Sequence, residues 1–164
     1  RARGRIGRQL EVDRWAAHTA GLWAGSGRAG LFAYDRERYA ALDNDDGDEA
    51  RLCSAEVEAF GVSHSALGAA LCQAWGLSRD VSDTVRARSA SDDHWTLERP
   101  NVQKLLAIGA AVDQLLLNPA GIPDPEDIWE GLAPIAHRVG LHFQSFQMAT
   151  MRVGERLNLN PTEG

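Results

Sequence analysis

The chain has 164 residues, of which 44% are apolar, and carries a formal net charge of −6. That length suits one domain with one core, the apolar fraction excludes wholesale disorder, and no apolar run approaches the length of a membrane span. The acidic balance argues against a general nucleic-acid binder, no segment reads as a secretion signal, and Cys53 and Cys72 make no disulfide framework, which fits a reducing cytoplasm.

Arg1, Arg3, Arg5 and Arg8 form a small basic cluster that reads as a solvated tail. Trp15, His18, Leu22 and Trp23 recur at helical spacing and predict a helix over Glu11 to Ala24, with Trp15 and Trp23 inward. Ala24-Gly25-Ser26-Gly27 is expected to stop it. A second helix is predicted over Leu31 to Leu42, with Leu31, Tyr34, Arg38 and Leu42 near one face. The acidic loop Asp43 to Asp48 has the start of a calcium-loop spacing. Leu52 and Cys53 occupy the late ligand positions, so the pattern is incomplete.

Ser54 is expected to cap a short helix that Gly61 ends, with Val57 and Phe60 on one side. Ser63 caps the clearest helix, His64 to Trp75, in which Leu67, Leu71 and Trp75 predict a buried stripe. Gly68 and Ala69 keep part of that helix narrow, and Gly76 is its C-terminal stop. Ser78 opens the next helix, with Val81 and Val85 inward. A polar loop from Ser89 to Arg99 leads to an apolar helix over Val102 to Leu117. Asn118-Pro119-Ala120-Gly121 breaks that helix, and Asp124-Pro125 starts another. A last helix is predicted over His142 to Leu157. No alternating strand run is present, so the fold class is all-α.

The stretch EVEAFGVSHSALGAALCQAWGL, Glu56 to Leu77, resembles the signature segment of HDOD domains. The matching positions include Glu56, Phe60, Gly61, His64, Gly68, Trp75 and Gly76. Upstream, Ala20 to Leu42 resembles the family's A-G-L-L-H-D-I-G segment and the helix after it; downstream, Leu105 to Leu116 resembles the helix carrying a late aspartate. The resemblance runs best over residues 11–117, with C-terminal helices over 118–164, in a single domain spanning 1–164. It implies a multi-helix HD-like bundle, here lacking the family's N-terminal helices.

The wider HD superfamily hydrolyses phosphate esters at a metal site built on an adjacent His-Asp pair. By the resemblance, that pair falls on Ala24-Gly25, neither of which can bind a metal. Two further family histidines fall on Ala87-Arg88. His64 and Asp113 are what remains of the pattern, and two ligands are too few for a tight site. The resemblance therefore implies a non-catalytic bacterial signalling module, cytoplasmic and without a metal or other cofactor, that acts by binding a protein partner or a second copy of itself. It implies no membrane contact and little call for nucleic acid. Trp95, in a polar loop, and Trp129, near a helix start, are candidate interface anchors, although packing is the commoner fate of large aromatics. Two rival readings remain open. One is a hydrolase with a reduced site of His64, Asp113 and His94. The other is a nucleotide or nucleic-acid sensor using Arg86, Arg88 and the N-terminal arginines. Ser26, in A-G-S-G-R, superficially resembles a nucleophile elbow, but it follows a helix and not a strand.

Overall fold

The computed structural model describes residues 12–42, 48–90, 92–116, 125–140, 142–148 and 151. The N-terminal arginines, the acidic loop over 43–47, the break at 118–121 and the segment after 151 lie outside the described residues. Among the described residues there are helices and no strand. In chain order they are α1 (Arg14–Trp23), α2 (Ser26–Tyr34), α3 (Arg36–Ala40), α4 (Glu49–Phe60), α5 (His64–Ala74), α6 (Arg79–Ala87), α7 (Asp92–Trp95), α8 (Pro100–Leu116) and α9 (Pro125–Arg138). A further helical turn covers 143–148. The chain forms two compact units, one of residues 19–102 and one of residues 1–18 with 103–164.

In the first unit, helix boundaries follow local hydrogen-bond chemistry. Asp48 accepts from the N–H groups of Ala50 and Arg51 at 3.0 Å, so α4 begins at Glu49 rather than near Ser54. Ser54 instead sits inside α4, its hydroxyl donating to the Ala50 carbonyl at 2.9 Å. Asp35 caps α3 through Arg38 N–H at 3.0 Å, which divides the predicted Leu31–Leu42 helix in two. Only Ala24 and Gly25 form a turn; Ser26 and Gly27 already belong to α2. The predicted caps Ser63 and Ser78 are in place, accepting from Ala66 and Val81. Gly61 takes φ +76 and closes α4. Gly76 takes φ +70 after α5, with Leu77 N–H returning to the Cys72 carbonyl and Gly76 N–H to Gln73, the paired bonds of a left-handed helix stop.

The buried face of α5 is His64, Gly68, Ala69 and Cys72, not the expected stripe of Leu67, Leu71 and Trp75. Leu67 and Leu71 are half-buried, and Trp75 is 72% exposed. The small residues decide this, because they let neighbours approach the helix backbone. A Cβ at Gly27 of α2 would fall 1.8 Å from the His64 carbonyl oxygen. A Cβ at Gly68 would meet Val85 of α6 at 3.0 Å and Ser26 Oγ at 3.3 Å. Val81 and Val85 are buried as expected, while Ser26 Oγ is buried without a hydrogen-bond partner. Val57, placed on one side of its helix with Phe60, is 51% exposed.

In the second unit, Val12, Ala17, Leu105, Ile108 and Ala136 form one apolar cluster, and Ala111, Leu132 and Phe146 another. Trp129 packs against both and lies 5.7 Å from the Phe146 ring and 5.5 Å from Phe143. That packing argues against Trp129 as a free interface anchor. Trp15, expected inward, is 71% exposed.

Candidate functional site

Glu49, Cys53, Glu56 and Phe60 follow one another at four, three and four residues along α4, so they share one face. That face meets the start of α5. His64 is the first helical residue there, and its N–H has no partner within the helix. Glu56 Oε2 accepts that N–H at 2.7 Å and sits 2.7 Å from His64 Nδ1. The Tyr39 hydroxyl donates to Glu56 Oε1 at 2.9 Å. Glu56 is completely buried, and its charge is offset by three donors and the positive end of a helix.

On the other side of the ring, His64 Nε2 lies 2.9 Å from Ser89 Oγ and 3.5 Å from Glu49 Oε2. One guanidinium nitrogen of Arg28, on α2, donates to both oxygens of Glu49. The imidazole and the two glutamates beside it thus tie together α2, α3, α4, α5 and the turn after α6. Cys53 Sγ lies 3.8 Å from both His64 Nδ1 and Ser65 Oγ. Hydrogen bonding to His64 when that ring carries its second proton, and then to Arg28, pulls the Glu49 carboxyl down to about 2, against the cost of partial burial. Burial, followed by the bond to the Glu56 carboxylate, pushes the Tyr39 phenol up to about 12.

Phe60 extends the face outward, its ring 6.1 Å from Tyr39 and 6.5 Å from Tyr34, with the Arg38 guanidinium 5.5 Å above it. Trp75 stacks at a tilt on Trp23, 5.6 Å between centroids, on the exposed surface. Trp95, expected as an interface anchor, is instead buried; its Nε1–H donates to the Ala87 carbonyl at 2.9 Å. An indole buries well when its one polar atom finds an acceptor, and the carbonyl at the end of α6 is such an acceptor. Arg86 is exposed and Arg88 half-buried.

Among the described residues, Cys53, Glu56 and His64 are the group of metal-ligand types whose donor atoms lie within 4.8 Å of one another. Its bonding does not suit a cation. Glu56 Oε2 already accepts two N–H groups, and a Nδ1 that donates its proton has no lone pair for a metal. His94, exposed on α7, does not join the group, and Asp113 is half-buried on α8 in the other unit. Ala24 and Gly25 contribute no ligand, and the space around a Gly25 Cβ is open. The metal centre of the HD superfamily therefore does not fit these residues.

Reasoning from sequence found Glu56 and His64 but missed their partners. Tyr39, Arg28 and Ser89 lie far away in sequence, while Glu49 is seven residues before Glu56 on α4, where the spacing 49-53-56-60 is the signal that could have found it. No curated protein and no solved structure matches the chain. A family model described as HDOD domain matches residues 2–91, a span that holds α1 to α6 and all of the Glu56–His64 network. With more than half its length matched, and helices throughout the described residues, the chain belongs to the HDOD family of HD-superfamily-related domains.

Proposed function

We propose that this is a non-catalytic regulatory module of bacterial signalling that works through contact with a protein partner. The observation that carries the reading is the engagement of His64. Both ring nitrogens are committed to groups of the protein, Glu56 on one side and Ser89 on the other, with Ala24-Gly25 where the superfamily's His-Asp pair would stand. A histidine so held ties helices together, and its Nε2 would have to give up Ser89 before it could grip an ion.

The protein-contact part of the reading is supported by the exposed surface. Leu22 is 74% exposed and Trp75 72%, with Trp23 stacked on the latter. Apolar side chains left in water as a group mark interaction surfaces more often than single ones do. This pair replaces Trp95 and Trp129 as the candidate anchor.

The test has two arms. Purified full chain, supplied with manganese, magnesium or zinc, is assayed on bis(p-nitrophenyl) phosphate and analysed for bound metal by mass spectrometry. The reading expects no hydrolysis and no stoichiometric ion; metal-dependent turnover that His64→Gln abolishes would establish the hydrolase instead. In the second arm, crosslinked complexes from source cells are compared for the wild-type chain and Trp75→Ala. A partner whose yield drops with the substitution supports the reading, and identical yields count against the surface.

A further inference from the structure

Ser89 Oγ, His64 Nε2, His64 Nδ1 and Glu56 Oε2 form one hydrogen-bonded line, with 2.9 Å between hydroxyl and ring and 2.7 Å between ring and carboxylate. This order of hydroxyl, imidazole and carboxylate is the arrangement that activates a serine. The tautomer follows from the carboxylate. Glu56 Oε2 already takes the His64 backbone N–H, and as an acceptor it also draws the proton to Nδ1. A neutral ring then presents a bare lone pair at Nε2, and the Ser89 hydroxyl donates to it.

The surroundings favour proton transfer. His64 is 5% exposed and Glu56 0%, so the ring is held in place and poorly screened. Glu49 Oε2, 3.5 Å from Nε2 and anchored by Arg28, stands where it would stabilise the imidazolium that forms. Cys53 approaches the Nδ1 side, so the thiol does not compete for the lone pair. Ser89 itself is half-buried, in the turn that follows α6.

We infer that Ser89 is an acyl-acceptor site, with His64 as its general base, Glu49 as the neighbouring charge and Glu56 as the residue that positions the ring. The co-reactant is an activated carboxylic ester. In the step, Ser89 Oγ bonds to the carbonyl carbon and the bond from that carbon to the leaving oxygen breaks. The Oγ proton passes to His64 Nε2 and then to the departing alkoxide or phenoxide. This is a single transfer, and the acyl group stays on Ser89. It requires no activated water, so it is compatible with a module that turns nothing over, and it stands or falls separately from the protein-contact reading.

The test treats the folded full chain with p-nitrophenyl acetate, follows p-nitrophenolate release and locates acetyl groups by peptide mass mapping. The expected result is acetylation at Ser89 ahead of every other serine, absent in Ser89→Ala, with the Ser89 rate in His64→Gln reduced by about 100-fold, the lower range for a general base. Glu49→Gln, a half-exposed change that leaves the buried bonds alone, slows the reaction without abolishing it. Glu56→Gln slows it too, and Glu56→Asp recovers part of the rate, a rescue that a merely structural role would not give. Acetyl groups confined to Cys53, Lys104 or the N-terminus, or a Ser89 rate unchanged in both His64→Gln and Glu49→Gln, would overturn the assignment.

Discussion

Among the described residues, Glu49 is the carboxyl held well below its ordinary value. Its folded value lies at about 2 against an ordinary 4.5, so the folded state favours its ionised form. The stabilisation is therefore complete above about pH 4.5 and disappears as the pH falls toward 2. Because the group is half-exposed, solvent screening keeps the effect modest. Urea unfolding of wild-type chain and Glu49→Gln at pH 5 and pH 3 checks this. The variant is less stable at pH 5, and the gap between the two narrows at pH 3. Ser26 offers the opposite case. Its hydroxyl is buried without a partner, and removing an unsatisfied polar atom costs nothing. Ser26→Ala is expected to leave stability unchanged or raise it by about 1 kcal/mol, read from the urea midpoint.

Between helices, the crossing of α2 over α5 depends on the absence of a side chain. A methyl group at Gly27 would meet a backbone carbonyl, which cannot turn aside as a flexible side chain would. Gly27→Ala must therefore part the two helices and is expected to cost about 3 kcal/mol, the upper range for overpacking. The same change two residues earlier meets no atom within 4 Å, so Gly25→Ala is expected to cost at most about 1 kcal/mol, the penalty of alanine at a helix N-cap. Thermal unfolding of the two variants in parallel separates packing from helix propensity. This crossing also shows why sequence reading succeeded in some places and failed in others. Caps and stops such as Ser63, Gly61 and Gly76 depend on atoms within a few residues, and they were legible. The buried face of α5 was not. Leucine spacing favoured Leu67, Leu71 and Trp75, whereas the neighbours came to rest on glycine, alanine and cysteine. The site divides in the same way. Glu56 and His64 lie eight residues apart within one motif, while Tyr39 and Ser89 reach them, and Arg28 reaches Glu49, only once the helices have packed.

Across the molecule, the family match ends at residue 91, so α8 and α9 lie beyond it, including the half-buried Asp113. No helix among the described residues is long and apolar enough to cross a membrane. The tryptophans sort by environment rather than by spacing. Trp95 and Trp129 are packed inside their own units, and Trp15 and Trp75 face solvent. Truncating an exposed ring removes little burial, so Trp75→Ala is expected to change stability by less than about 0.5 kcal/mol. Trp95→Phe, which removes the donor to the Ala87 carbonyl, is expected to cost about 1 kcal/mol. Denaturant titration of both variants tests whether surface and interior have been correctly distinguished.

The two indoles stacked at the end of α1 and α5 have an optical consequence. Chromophores 5.6 Å apart and inclined at 54° exchange excitation, which splits their shared ultraviolet transition into bands of opposite sign. Circular dichroism of the unlabelled chain should therefore carry a couplet that vanishes when either ring is replaced. A molecule settling over that corner would alter the couplet's amplitude, so the protein carries its own spectroscopic gauge of occupancy.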